Sequence, residues 1–303
     1  LNAKCCVGDQ LHPSGAISPD TYDLIGKVYA EVEAKEPWCV NAHPVTEIGV
    51  LTPEEFHGGG IGGLPTALMG AVRMLTELGQ QFDILDSGDE GIGDEASRGD
   101  GASHSDFNAY KVIILPDEIP VDEALSTRLS KYAAQGGKLL LSYRSGLKPA
   151  TGAEVSPESF AKPLGPAIRL KGDAPYSPDF LLPRGPLGVG LPETEHVIYL
   201  QGLEVETSPE SAILADTIIP YFNRTYKHFC SHRHTPSKGE IGYPGVIQNG
   251  NILYFAHPIF TQYNDNAPRW VKILFANALN VLLPEPLLRH NGPSTLVATI
   301  NEQ

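Results

Sequence analysis

The sequence predicts an α/β fold in which a mostly parallel sheet carries helices on both faces. Three observations lead there. Short apolar runs (EIGVLT, YKVIIL, KLLLS and NILYFA) recur along the chain. Between them lie amphipathic stretches with apolar residues at helical spacing. These stretches close on glycine, the residue that most readily takes the left-handed turn ending a helix. Strands alternating with helices give layered α/β sheets.

The opening segment, LNAKCCVGDQLHP, reads as a short buried strand. Ser18 is placed to cap a helix, with Pro19 at its first position and Asp20 in its first turn. Tyr22, Ile25, Val28, Tyr29 and Val32 repeat at helical spacing. This is one strand-helix unit with no parallel neighbour before it. At the far end PSTLVATINEQ begins a strand-like run and stops. The two ends predict an internal piece of a larger protein.

Glu47 to Thr52 is the next expected strand. The loop HGGGIGG (57–63) follows and leads to a helix with Leu68, Ala71, Met74, Leu75 and Leu78 on one face, ended by Gly79. Backbone amides of such a loop can hold an anion. It lacks the lysine of a phosphate-binding loop and does not fit the dinucleotide fingerprint, so a tight crossing between elements is expected. Phe82 to Leu85 is a strand. Ser87 to Asp106 is acidic and rich in Gly and Ser, and reads as a mobile surface loop.

Tyr110 to Leu115 is a buried strand. Val121 to Gln135 is a helix through Leu125, Leu129 and Tyr132, stopped by Gly136 and Gly137. Lys138 to Ser142 is a strand. Gly146 to Pro192 is Pro-rich and receives no assignment. Asn251 to Ala256 is a late strand, and Pro268 to Leu282 a final helix with Val271, Leu274, Phe275, Ala278 and Leu282 inward. The sum is a flavodoxin-like sheet over Val45 to Pro284, with Leu1 to Pro37 packed outside it.

Composition narrows the function classes. The 303 residues suffice for a full core plus a smaller unit. A net charge of −14 argues against a nucleic-acid partner. No apolar run reaches membrane-spanning length, and no secretory signal opens the chain. Cys5 and Cys6 are adjacent while Cys39 and Cys230 stand apart, so neither a disulfide framework nor a paired-cysteine metal site is expected. A reducing, cytoplasmic setting follows as the default. Asn223-Arg224-Thr225 matches a glycosylation sequon.

The most reactive stretch is IIPYFNRTYKHFCSHRHTP, Ile218 to Pro236. His228, Cys230, His232 and His234 occupy alternate positions. In an extended chain they share one face, joined by Arg224 and Tyr226. Such a face can grip a polar ligand, meet a partner, bind a metal, or simply be a solvated strand. One extended face spaces its side chains too widely for all four to close on a single ion, so no metal and no cofactor are expected.

The order strand, helix, strand, VIILPD, helix, GGKLLLSYRSG and late YFAHPIF resembles class I glutamine amidotransferases. The resemblance implies a strand-to-helix elbow with a catalytic Cys and a later His-Pro-Glu. By motif position Arg144 stands at the nucleophile. His257 matches the base, and Ile259 stands where the orienting Glu should be. Arginine cannot supply a thiolate and isoleucine cannot orient an imidazole. The glutaminase triad is therefore expected to be absent, and His257 to be structural.

A second resemblance covers most of the chain. VGDQLHPSGAISPDTYDLIGKVYAEVE, AVRMLTELGQQFDILD, YKVIILPDEI, LSKYAAQGGKLLLSYRSGL, YFNRTYKHFCSHRHTP and NGNILYFAHPIFTQY are similar to the degenerate amidotransferase-like trimerisation domains of β-galactosidases and related glycoside hydrolases. It implies that 1–44 is the last strand-helix unit of a (β/α)8 barrel plus a linker. It makes 45–284 the trimerisation domain and 285–303 the start of a C-terminal β-domain. Ala3 to Val7 would be the last barrel strand and Ser18 to Glu36 its helix. Asp9, Gln10 and His12 would then face the barrel mouth, where they can bind a sugar hydroxyl or merely cap the turn.

The implied function is a non-catalytic, oligomerising part of a glycosidase that acts on oligosaccharides or glycosides, with a homo-trimer as its assembly. Asn223, Arg224, His228, Cys230, His232 and His234 would lie near a barrel mouth as substrate-binding residues. Arg224 is expected to hold a carboxylate such as Asp9. The alternative is a free-standing amidotransferase-like enzyme, or a small-ligand or metal-binding protein, that uses the row 228–234.

Overall fold

The computed structural model describes residues 6–52, 65–85, 87, 106–148 and 160–303. It divides into two compact units, Leu1–Thr46 with Ala298–Gln303, and Glu47–Val297.

The smaller unit contains helix α1 (Pro19–Lys35) and a short antiparallel pair, β1 (His43–Pro44) with β13 (Asn301–Glu302). Pro19 opens α1 as expected, but the Ser18 side chain makes no cap bond to the helix backbone. No residue of α1 is buried: Tyr22, Leu24, Val28, Tyr29 and Val32 are all exposed. The helical spacing is correct, yet Tyr22, Val28 and Val32 stay open to solvent. Gln303 ties the C-terminus to the Pro37 and Val40 carbonyls, both at 2.8 Å. The expected strand at Ala3 to Val7 lies largely outside the described residues; Cys6 and Val7 are irregular.

The larger unit is built on a nine-stranded sheet. Its parallel part comprises β2 (Ile48–Leu51), β3 (Phe82–Leu85), β4 (Val112–Leu115), β5 (Lys138–Ser142) and β12 (Ile252–Phe255). They lie in the order β3-β2-β4-β5-β12. Beyond β12 the sheet turns antiparallel through β11 (Ser237–Asn249), β10 (Ala212–Pro220), β7 (Asp179–Pro183) and β8 (His196–Ile198). The sheet is therefore mixed rather than mostly parallel throughout. The antiparallel half comes from the Pro-rich region and the hairpin after it, where prolines and the register shifts between β10 and β11 blur the alternation that reveals a strand.

Residues along the parallel strands alternate between two cores. Ile48, Val50, Val112, Ile114, Leu140, Leu253 and Phe255 pack with α2 (Thr66–Glu77), α4 (Ile259–Asn266) and α5 (Arg269–Leu282). Leu51, Ile113, Leu115, Leu139, Leu141, Ile252 and Tyr254 pack on the opposite face with α3 (Glu123–Ala134). That second core also takes in a separate hairpin of β6 (Ile168–Asp173) and β9 (Leu203–Thr207). Strands covered on both faces need apolar residues at every position, which is why VIIL and LLLS carry no alternation. Gly79 and Gly136 stop α2 and α3 in the left-handed conformation, as their positions predict.

Candidate functional site

Two polar constellations stand out in the larger unit. The first is buried at the C-terminal ends of β4, β5 and β12. Asp117 lies two residues past the end of β4, is fully buried and takes the left-handed conformation with φ of 49°. Asparagine and aspartate are the non-glycine residues best suited to that region. Its carboxylate accepts from the Ser142 hydroxyl at 2.6 Å, the Thr261 amide at 2.7 Å and the Thr261 hydroxyl at 2.8 Å. The Phe260 amide approaches at 3.4 Å. Helix α4 begins after Pro258, which has no capping side chain. Asp117 thus supplies from another strand the cap that α4 lacks, at the positive end of the helix dipole. Burial pushes the carboxyl up to about 6, while the bonds from Ser142, Thr261 and Phe260 pull against that rise.

His257 lies one residue before Pro258 and is also fully buried. Its Nε2 sits 2.9 Å from Asp179 Oδ1 and 3.1 Å from the Tyr243 hydroxyl. Tyr243 donates to the other oxygen of Asp179 at 2.8 Å. Burial, then the Asp179 carboxylate, pushes the Tyr243 phenol well above its usual range. Gly202 closes the cluster, since a Cβ there would lie 2.8 Å from His257 Nε2. Ile259 contributes no carboxylate, as its identity requires. The inference that His257 therefore lacks an orienting group is corrected by Asp179, which reaches it from β7.

The elbow also differs in detail. The left-handed residue after β5 is Tyr143, with φ of 51°, one position before Arg144. Arg144 lies over the Tyr143 ring at 5.2 Å and pairs with Asp173 at 3.2 Å, both partners half exposed. Ser142 is buried and its hydroxyl is committed to Asp117. The hydrogen bonds of His257 run to Asp179 and Tyr243 and not to Ser142.

The second constellation is the His/Cys row. It is not a strand. Pairing of β10 with β11 ends at Pro220 opposite Ser237, and 221–236 forms an irregular loop between them. The regular alternation of an extended strand is therefore absent. Instead the His232 and His234 rings stack at 6.2 Å, and His228 packs against Phe222 at 5.9 Å. Cys230 donates to the His232 and His234 carbonyls, both at 3.4 Å. Arg224 donates to the His232 carbonyl at 3.1 Å. Asn223 accepts from the Ser177 amide at 3.0 Å and donates to the Pro175 carbonyl at 2.7 Å. Among the described residues no group of three or more His, Cys, Asp or Glu is arranged to hold a metal ion.

The loop carries Arg224, Lys227 and Arg233 with no acidic residue between 221 and 236, in a chain of net charge −14. It also presents Tyr221, Tyr226 and Phe229 to solvent. Exposed aromatic rings beside hydrogen-bonding groups form a surface suited to a sugar or a partner protein.

In the smaller unit, Asp9 accepts from the Gln10 amide at 2.8 Å, and His12 bonds Ser14 through its hydroxyl at 2.9 Å and its amide at 3.2 Å. All three residues are exposed. Their bonds are local turn contacts. HGGGIGG lies outside the described residues, as does most of the acidic loop. Sequence reasoning missed Asp117, Asp179, Tyr243, Tyr199 and Gln262. The detectable signals were an acid one proline beyond VIIL and another opening the apolar run DFLLP.

These features define an α/β domain with a buried polar cluster in its interior and a long aromatic loop on its antiparallel half. Residues 102–161 match the family model described as the beta-galactosidase trimerisation domain. Over its whole length the chain is similar to alpha-L-fucosidase isoenzyme 2 from Paenibacillus thiaminolyticus, at 34% identity and a TM-score of 0.85, covering 43% of that protein. The fold is shared with a beta-galactosidase from Rahnella sp. R3 at 13% identity and a TM-score of 0.62, covering 90% of this chain and 36% of that one. It is also shared with a beta-galactosidase from Bacillus circulans sp. alkalophilus at 14% identity and 0.57, covering 88% and 36%. The chain thus spans less than half the length of each. No curated protein sequence matches it. Among the described residues no helix is long and apolar enough to cross a membrane.

Proposed function

We propose that this chain is the oligomerising, non-catalytic portion of a glycoside hydrolase, and that loop 221–236 borders a barrel mouth in the assembly. The observation that carries this reading is 34% identity to a fucosidase across the entire chain. The match of 102–161 to a trimerisation domain supports a homo-oligomer, with three copies as the expected number. Whether the sugar is a fucoside, a galactoside or another glycoside is for a substrate panel to decide.

The order of the parallel strands, second-first-third-fourth-fifth in chain sequence, supports the flavodoxin-like and amidotransferase-like description. The exposed apolar stripe of α1 supports its assignment to the last helix of a barrel, where Tyr22, Val28 and Val32 would be covered. Asp9, Gln10 and His12 would then lie at that barrel's mouth. Arg224 presents a planar fork suited to a carboxylate, and the imidazoles donate or accept according to tautomer. Free thiols at Cys6, Cys39 and Cys230 support the expected cytoplasmic setting.

The test is a panel of aryl glycosides offered to this chain alone and to the longer polypeptide that contains it. Hydrolysis by the longer protein only is the expected result. Turnover by this chain alone would defeat the reading. A monomeric mass for the longer protein in light scattering would defeat its oligomeric part.

A further inference from the structure

The buried polar cluster and loop 221–236 are physically joined. Two routes run from the start of α4 to the loop. On the first, Gln262 Oε1 accepts from the Tyr199 and Leu200 amides at 3.0 and 3.1 Å. The Tyr199 hydroxyl then bonds His234 Nδ1 at 3.3 Å, and its ring meets the His234 ring edge-on at 6.0 Å. On the second, His257 holds Asp179 at 2.9 Å. Two residues earlier, the Ser177 amide is held by Asn223 of the loop at 3.0 Å. The routes are cross-linked where the Ser177 hydroxyl donates to the Tyr199 carbonyl at 3.3 Å. Gln262, Asp179 and His257 are buried, whereas Asn223 is exposed and His234 half-buried.

We propose that Gln262, Asp179 and His257 are positioning residues for loop 221–236, acting through Tyr199 and Asn223. A loop without a strand ladder of its own must be ordered by contacts from the scaffold beneath it. Here those contacts converge on one helical turn that Asp117 caps from the far side. His257 bonds Asp179 and Tyr243, and the hydrogen bonds that leave this cluster end in the surface loop. The consequence for turnover rests on the sugar-site reading; the ordering of the loop does not.

Cys230 is the natural reporter, because its thiol is half-buried and bonded within the loop. With Cys5, Cys6 and Cys39 replaced by Ser, its reaction with dithiobis-nitrobenzoate reads local opening. Gln262→Ala and Asp179→Asn should each speed labelling about tenfold at temperatures far below unfolding. Tyr199→Phe keeps the ring and loses only the bond to His234. It should speed labelling about threefold with an unchanged Tm, and it serves if either buried variant fails to fold. Asp117→Asn removes bonds to Ser142 and Thr261 that lie on neither route and should leave labelling within about twofold of the parent. Unchanged labelling in Tyr199→Phe would overturn the proposal. So would equal acceleration in Asp117→Asn at a matched loss of Tm, because the effect would then be global. Labelling does not read turnover, so failure of the sugar-site reading and failure of this one are separately visible.

Discussion

His257 and Asp179 stand 78 positions apart in sequence, yet an imidazole nitrogen of one lies 2.9 Å from a carboxylate oxygen of the other, with both side chains closed to solvent. The histidine comes from the turn after β12 and the acid from β7, in the antiparallel half of the sheet. The acid that meets His257 thus does not come from the residues that follow it in sequence. The pair resembles the base and orienter of a hydrolase, but it faces Tyr243 and Gly202 rather than a nucleophile.

Glutamine hydrolysis should accordingly be absent, both in the native chain and in Arg144→Cys. A thiol at 144 would stand on a half-exposed turn, whereas the imidazole is wholly interior. Ammonia release from glutamine checks this. Release above the rate of a heat-denatured control, in either protein, would contradict it.

Asp117→Asn should destabilise the fold by about 1–3 kcal/mol, because an amide cannot accept from all the donors that now converge on the carboxylate. Asn tolerates the left-handed backbone, so the loss reads the hydrogen bonds. The pH dependence has a defined sign. The folded carboxyl titrates near 6 against an ordinary 3.8, so the folded state binds the proton more tightly. Its contribution to stability therefore rises as pH falls from about 6 to about 4, and the cost of burying the charge is fully present above 6. The difference in urea midpoint between native and Asp117→Asn chains, followed across that window, should shift in this direction. A flat difference would contradict the assignment.

Glu77 behaves oppositely. Partial burial works to raise its carboxyl, but Lys272 at 2.6 Å, Tyr263 at 2.5 Å and Arg73 at 2.9 Å outweigh it and hold the group at about 2. Its stabilisation is present above the ordinary 4.5 and is lost as pH falls through about 2. Glu77→Gln should lower Tm at neutral pH and narrow its gap to the native chain under acid. A gap that widens on acidification would count against the network.

Gly202→Ala should cost about 1–3 kcal/mol, since the new methyl must displace the His257 ring or the Tyr243 hydroxyl in a packed interior. Gly136→Ala is a comparison without a steric clash, as its Cβ would meet nothing, although its left-handed φ of 95° still strains an alanine. Calorimetry of the two separates packing from backbone strain. The account expects disturbed His257 ring resonances in the first alone.

The parallel half of the fold was legible because its strands are continuous apolar runs and two of its helices, α2 and α3, close on Gly79 and Gly136. VIIL, KLLLS and ILYF fall where expected. The antiparallel half was not. Pro183, Pro220 and Pro244 lie in its strands, and the shifted register of β10 against β11 hides their alternation. Loop 221–236 was found by its chemistry but given the wrong geometry, since alternation of residue type cannot reveal that Pro220 ends the ladder. The interior cluster was half visible. His257 stood in a motif, while Asp179 and Tyr243 reach it only through sheet order, which no local pattern encodes. The apolar stripe of α1 gave a helix correctly and said nothing about what covers it.

The central claim is that loop 221–236 serves a glycosidase site in the assembled protein. The most direct measurement is kcat/KM of the longer polypeptide on its best aryl glycoside, with Arg224→Ala and His232→Ala, alongside mass and Tm. The account expects a fall of about tenfold or more with mass and Tm preserved. Unchanged turnover with a lowered Tm would show that these side chains only pin the loop, and would contradict it.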